Sequence, residues 1–242
     1  MRRKLILVSL ILLVITSLPG LCQADHDHSA NIIYSESLLS GELFDPASTP
    51  DISTYFNKEW LSGNIRLIDG RIILNKKIKY NGLLDELFWL EPVSNLTIKL
   101  DKESILQFHF LNFQGDTTIR FIKIKVKQDI FADSAEIFSQ EIKKGNLSLL
   151  ISHHYFFAGK EAVRMNKNLY LKEIYKEEPV YYLRFRDNRI VEFKRFSRKN
   201  LYASIPDKMD LIRQYLKESI SGKIRTDQEI LDFVLFLSSL AY

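Results

Sequence analysis

The stretch NIRLIDGRIILNKKIKYN, residues 64–81, sets an Asp-Gly pair between two runs in which apolar and polar residues alternate. Period-two alternation marks a strand with one covered face, and Asp-Gly suits a two-residue type I′ turn, which needs positive φ at both central positions. With Asp69-Gly70 as that turn, Ile68 faces Arg71, Leu67 faces Ile72, and Ile65 faces Leu74. Ile65, Leu67, Ile72, Leu74, Ile78 and Tyr80 then share one face. Asn64, Arg66, Arg71, Asn75, Lys77 and Lys79 take the other, with Ile73 as the exception. Pairing and polarity agree, as a sheet with one wet side requires. The stretch reads as a hairpin rather than as a functional loop built on Asp69.

Outward from this hairpin the same texture continues. NLTIKL buries Leu96, Ile98 and Leu100; ILQFHF puts Leu106, Phe108 and Phe110 on one side; FIKIKVK alternates Ile122, Ile124 and Val126 with lysines. AEIFSQEI, LSLLISHHYFF, LYLKEIY, VYYLRFR and RIVEF follow as further strands, with turns at Lys144-Gly145-Asn146 and Asp187-Asn188. A tight turn at Asn81-Gly82 would put Asp85 on the apolar face, so a longer bend through Leu83 to Glu86 is expected. After Tyr202 the period changes. Ser204 and Pro206 suit a helix start, and Met209, Ile212, Tyr215 and Leu216 recur at helical spacing up to a stop at Gly222. Thr226 to Glu229 has the spacing of a capping box, opening a last helix through Ile230, Val234, Leu237 and Leu240. Many sequential strands followed by helices predict an α+β protein: a predominantly antiparallel sheet over 54–203, as a meander, curved sheet or sandwich, with two C-terminal α-helices over 204–242 packed on it.

At the other end, MRRKLILVSLILLVITSLPGLCQA (residues 1–24) begins with Arg2, Arg3 and Lys4. An uncharged apolar run from Leu5 to Leu18, a Pro19-Gly20 break, and small residues at Cys22 and Ala24 follow. This is the pattern of a secretory signal peptide cut after Ala24. A lipoprotein signal with Cys22 lipidated is the rival, but Leu21 stands where a lipobox has a small residue. Arg2-Arg3 lacks the rest of a twin-arginine signal, so the Sec route and a periplasmic or extracellular destination are expected. Cleavage removes the single cysteine, leaving a fold held by core burial with no disulfide. Residues 25–53, rich in Ser, Asp and Pro, read as a flexible leader. Beyond the leader no apolar run approaches a span, so the mature chain is not expected to cross a membrane. Arg2, Arg3 and Lys4 supply three of the positive charges, so the formal net charge beyond residue 24 is +1 rather than +4. Such a near-neutral chain has little electrostatic pull toward nucleic acid.

FNKEWLSGNIRLIDGRIILNKKIKYNGLLDELFWL (Phe56 to Leu90), followed by LDKESILQF, resembles a pattern common among uncharacterised exported β-rich proteins of Bacteroidetes bacteria. In that pattern a tryptophan before a glycine leads into a strand, a Gly turn, a KYN-like strand end, a DEL-like strand start and a D-K-E before an apolar strand. AEIFSQEIKKGNLSLLISHHY resembles its strand–Gly–strand unit. YYLRFRDNRIVEFKRFSRKNLYASIPDKMDLIRQYLKE with TDQEILDFVLFL resembles its final hairpin and helices. Asn188 stands where the last hairpin of that pattern usually has Gly; Asn tolerates the same backbone region. The resemblance spans Phe56 to Leu240 and implies a fold and an exported destination. It brings no activity, cofactor or catalytic residue with it.

Several residues invite a functional reading and have a plainer one. Lys123, Lys125 and Lys127 project from one strand face at about 6.6 Å intervals and form either a ladder for an anionic glycan or lipid head group or a solvated face; the solvated face is expected. His153 and His154, adjacent on a strand, leave by opposite faces and do not ligate one metal, and a site joining His109 to one of them is not required by spacing. The leader's Asp25 to His28 holds a metal only adventitiously. Gly-x-Ser-x-Gly, His-Glu-x-x-His and phosphate-cradling glycine loops are missing from the sequence. Asp85-Glu86 is the carboxylate pair to test for a glycosidase, which needs carboxyls roughly 5–9.5 Å apart across a cleft. Tyr and Phe together number 27, and Tyr155, Phe156, Phe157, Tyr181 and Tyr182 either pack under the terminal helices, the preferred reading, or line a binding face. The expected function is a non-enzymatic binding or scaffolding protein of the cell envelope, partnered by an envelope protein, glycan or lipid, with no cofactor, metal or catalytic residue. A periplasmic lipid or hydrophobic-ligand carrier and a secreted carboxylate-dependent glycan hydrolase are the alternatives.

Overall fold

The computed structural model describes residues 39–45, 52–113, 117–127, 134–165, 168–193, 196–218, 224 and 226–240. Residues 1–24, Cys22 among them, and Asp25 to His28 lie outside the described residues. The strands are β1 (Gly41–Leu43), β2 (Leu61–Leu67), β3 (Ile72–Asn81), β4 (Glu86–Leu90), β5 (Thr97–Leu100), β6 (Ile105–Phe113), β7 (Thr117–Lys127), β8 (Ser134–Lys144), β9 (Leu147–Ser152), β10 (Tyr155–Met165), β11 (Asn168–Glu177), β12 (Val180–Arg184) and β13 (Ile190–Phe193). Eleven of them join one antiparallel sheet in the order β1-β5-β4-β3-β2-β6-β7-β8-β9-β12-β13, while β10 and β11 pair only with each other. Three helices follow: α1 (Arg198–Ser204), α2 (Met209–Glu218) and α3 (Asp227–Ser239). The class is α+β, with one sheet rather than a sandwich. Among the described residues no helix is long and apolar enough to cross a membrane.

Asp69-Gly70 does sit in a hairpin, but its loop has three residues. Leu67 N donates to Arg71 O at 2.9 Å, and Gly70 closes the loop at φ 90°. The register becomes Ile65 opposite Ile73 and Arg66 opposite Ile72. Ile65, Leu67 and Ile73 are buried, whereas Ile72 and Leu74, expected on that face, are only half-buried. Parity is restored further along by a bulge. Between Gly63–Lys76 and Ile65–Ile73, Asn64 faces both Leu74 and Asn75. Asn75 takes φ 53°, and its N–H donates to Asn64 Oδ1 at 3.0 Å. Ile78 and Tyr80 therefore return to the core. A second bulge does the same in β6, where Arg66 pairs with Gln107 but Leu67 with Ile105. Leu106 is thrown outward and Ile105 enters the core beside Phe108 and Phe110.

The sheet curls. β3 and β8 are four strand spacings apart, about 19 Å if flat, yet the rings of Tyr80 and Phe138 lie 6.2 Å apart. The concave side is filled by aromatic contact: Phe108 stacks on Phe121 at 4.8 Å, and Phe56 stacks on Phe110 at 5.8 Å. Further along, the same face of β8, β9, β12 and β13 carries the helices over Leu147, Leu149, Leu183 and Phe193. There the sheet bends the opposite way. Val126 of β7 and Ile190 of β13 line one hollow on the other face, above a cluster of Ile122, Ile124, Leu150 and Tyr182.

The helices differ from expectation in number. Ser197 caps an additional short helix, α1, which buries only Leu201, too small a stripe to show as periodicity. α2 buries Ile212 and Leu216, and α3 opens on the capping box of Thr226 and Glu229 and buries Ile230, Phe233, Val234 and Leu237. Within the segment 25–53, expected as a flexible leader, Gly41–Leu43 pairs with β5; Thr54, the first residue beyond it, is fully buried.

Candidate functional site

The run LSLLISHHYFF is two strands rather than one. β9 stops at Ser152, where His154 N turns back to donate to Ser152 O at 3.0 Å; the chain then leaves the sheet as the β10–β11 ribbon and returns at Glu178, whose N–H donates to His154 O at 2.8 Å. This break holds His153 against the ribbon base. Its Nδ1 lies 2.6 Å from Glu177 Oε1 and its Nε2 2.9 Å from Gln140 Oε1, with the ring 4.9 Å from Phe56. On the other side, Tyr181 donates its hydroxyl to Asp227 Oδ1 at 3.1 Å. Burial, reinforced by Asp227, pushes that phenol up to about 12.

Between these two polar pairs lies a cleft of about 340 Å³, floored by Ile142, Leu149 and Ile151 and walled by Pro179, Ile230 and Leu231. It sits where the aromatic core ends and the helix layer begins. The rim combines carboxylates (Glu177, Asp227), an amide (Gln140), an imidazole and a phenol above an apolar floor, the composition of a small-molecule site. The lining residues include no Lys or Arg, and no Ser, Thr or Cys that His153 could activate. What the cleft can do is accept hydrogen bonds and shelter an apolar surface. His153 was visible in the sequence as half of a His-His pair. The other polar residues of the cleft were not, because Gln140, Glu177, Tyr181 and Asp227 lie on four different elements.

The other candidates are placed as follows. Asp85 sits in the expected longer bend yet still points inward, at φ 54°, where it accepts from Tyr80 Oη at 2.7 Å, Lys102 Nζ at 2.5 Å and Phe138 N at 3.1 Å. Burial raises its carboxyl above the ordinary value despite these partners. Glu86 is turned elsewhere, lining an open hollow of about 540 Å³ with Glu42, Lys99 and Lys102. The two carboxylates therefore do not confront each other across a cleft. Lys123 belongs neither to a ladder nor to a solvated face. Its nearly buried ammonium donates to Lys102 O at 3.2 Å and Glu103 O at 3.3 Å and meets Glu136 at 3.0 Å, because the curled sheet brings the β5–β6 connection over it. Lys125 is exposed, and the side chain of Lys127 lies outside the described residues.

His109 and His153 occupy opposite faces of the sheet. His109 pairs with Arg120, while His153 approaches the ring of the neighbouring residue, Phe121, at 5.8 Å. Burial and Arg120 lower the His109 imidazole. Asp69 is taken up by Arg71, whose Nε donates to it at 2.6 Å. Of the five aromatics assigned to the ground under the helices, only Tyr181 packs there. Tyr182 is in the cluster on the opposite face, Tyr155 is buried at the ribbon base, and Phe156 and Phe157 are exposed. Comparison with protein-family models, curated proteins and solved structures finds no match.

Proposed function

We propose that the chain is an exported, non-enzymatic binding protein of the cell envelope whose cleft takes the end of a neutral, hydroxyl-rich glycan. The observation that carries this reading is the acceptor-rich rim of Gln140, Glu177 and Asp227 over the apolar floor of Ile142, Leu149 and Ile151. A sugar ring presents hydroxyl donors at its edge and C–H groups on its faces, which matches acceptors at a rim and aliphatic carbon below. Two carboxylates without a Lys or Arg among the lining residues disfavour an anion. Export is supported by the basic start, apolar run and small residues of positions 1–24. The carrier alternative has less support, since the concave side where an acyl chain would lie is filled by Phe121 stacked on Phe108 and by Phe110 edge-on to both. The hydrolase alternative loses its pair, because Asp85 is fully engaged by Tyr80, Lys102 and Phe138.

Titration with soluble neutral mono- and disaccharides, followed by amide NMR, tests the proposal. Saturable shifts confined to the surroundings of Gln140, Ile151, His153, Glu177, Tyr181 and Asp227 are expected, and they should disappear in Asp227→Ala. Absence of saturable shifts there, or their persistence in that variant, defeats it.

A further inference from the structure

A second surface, separate from the cleft, lies at the far end of the β10–β11 ribbon. The ribbon pairs ten positions, from Tyr155–Glu177 to Met165–Asn168, and no further strand lies on either edge among the described residues. Near its tip the exposed residues are the wrong kind for water. Leu169, Tyr170 and Leu171 are 67%, 53% and 69% exposed. They do not share a face: Leu169 and Leu171 stand with Arg164 and Ala162 on one side, and Tyr170 with Val163 on the other. A single flat protein surface can cover one face of a ribbon, but not both. Immersion covers both.

The charges set how far immersion goes. The next two pairs up the ribbon are Glu161–Lys172 and Lys160–Glu173, the latter an ion pair at 3.5 Å. Between Met165–Asn168, the last pair before the turn, and these charged pairs lie three pairs, on the order of 10 Å of strand, the depth to which interfacial elements enter a bilayer. Residues 160–173 include Lys160, Arg164, Lys167 and Lys172 against Glu161 and Glu173, and with Lys160 paired to Glu173 a basic excess is left toward the turn of the ribbon. Long basic side chains lay their stems along apolar material and carry the charge to the phosphates. We infer that the tip of the β10–β11 ribbon docks on an anionic lipid surface, with Leu169, Tyr170 and Leu171 entering the head-group region and Arg164 and Lys172 meeting its phosphates.

The test uses the full chain with vesicles of phosphatidylcholine, with and without phosphatidylglycerol. Because Leu5 to Leu18 can itself partition into lipid, the readout is placed at the tip. Tyr170→Trp fluorescence, read against the background of Trp60 and Trp89, should shift to the blue with phosphatidylglycerol vesicles. The shift should weaken without the anionic lipid and at high salt. Adding Leu169→Glu and Leu171→Glu should lower the apparent vesicle affinity at least about ten-fold per leucine, with circular dichroism and the unfolding midpoint unchanged. No blue shift, a shift unaffected by the two substitutions, or a shift appearing without lipid as protein concentration rises, which marks a second copy as the occupant, overturns the inference. The cleft residues are unaltered in these variants, so the outcome leaves the glycan reading to its own titration.

Discussion

The β6–β7 and β10–β11 hairpins are built from strands of nearly the same length and read alike in sequence, yet they have opposite fates. β6 and β7 are flanked by β2 and β8, and Phe108, Phe110 and Phe121 close on one another beneath them. Among the described residues β10 and β11 pair with no other strand, and Phe156, Phe157, Leu169 and Leu171 remain exposed. Alternation declares that a segment is a strand with two unlike faces. It does not declare what covers them. A lone two-stranded ribbon is marginal in water; among the described residues this one is anchored at its base, by Tyr155, the Glu177–His153 contact, the Glu178–His154 hydrogen bond and the packing of β11 against Ile52–Thr54.

The sharpest way to break that contrast is to truncate one large apolar side chain in each hairpin. Phe121→Ala removes a fully buried ring that touches Phe56, Tyr80, Phe108 and Phe110, and should cost about 3–5 kcal/mol in urea unfolding. Leu171→Ala should stay within about 0.5 kcal/mol. Similar costs at both sites would mean that the ribbon is covered. Next in size is Asp85→Ala, expected to cost on the order of 3 kcal/mol, since it orphans the Tyr80 hydroxyl, the Lys102 ammonium and the Phe138 N–H together. Asp85→Asn, which keeps hydrogen-bonding capacity, should cost less.

The same pair of variants has a pH signature. The Asp85 carboxyl is raised in the folded state, chiefly by burial, so its contribution is fully present below the unfolded carboxylate value. That contribution is lost as pH rises through the raised value. Urea midpoints of the wild type relative to Asp85→Asn should therefore fall across that window; a rise would mean that pairing outweighs burial.

Smaller effects sharpen the picture of the curled half. Asn75→Val forces a branched side chain into φ 53° and should cost about 1–2 kcal/mol, whereas Asn75→Gly should be close to neutral. Equal costs would place the importance of Asn75 in its side chain rather than in its backbone. Smallest is Thr226→Ala, which removes the cap of α3 at about 1 kcal/mol, read by thermal or urea unfolding.

The strands and the α3 cap were legible because each rests on a local rule: alternation, a turn residue, a capping spacing. Asn188, at φ 63°, takes the left-handed position expected of it, and Gly145 closes the β8–β9 turn at φ 57°. The failures share a cause as well. The third loop residue before Arg71 and the bulges at Asn75 and Leu106 change which residue faces inward without changing composition, so a two-residue turn with unbroken period two assigned Ile72 and Leu106 to the core. Ile73, the one misfit in the two-residue register, was the visible trace of the true one. The cleft was illegible for a different reason. His153, Glu177, Tyr181 and Asp227 meet only because β9 ends at Ser152 and α3 docks on the sheet, and no spacing along the chain encodes either event.

Asp85 also bears on the order in which the molecule can assemble. Its bond to Phe138 spans 53 residues, and β4 to β7 must be laid down between its two ends before they can meet. Contacts so remote in sequence come at a high entropic cost and form late. Asp85 is thus a clasp fastened on a sheet that already exists. Until it fastens, the ring of Phe138 and the aromatic hollow it seals are expected to stay open to solvent.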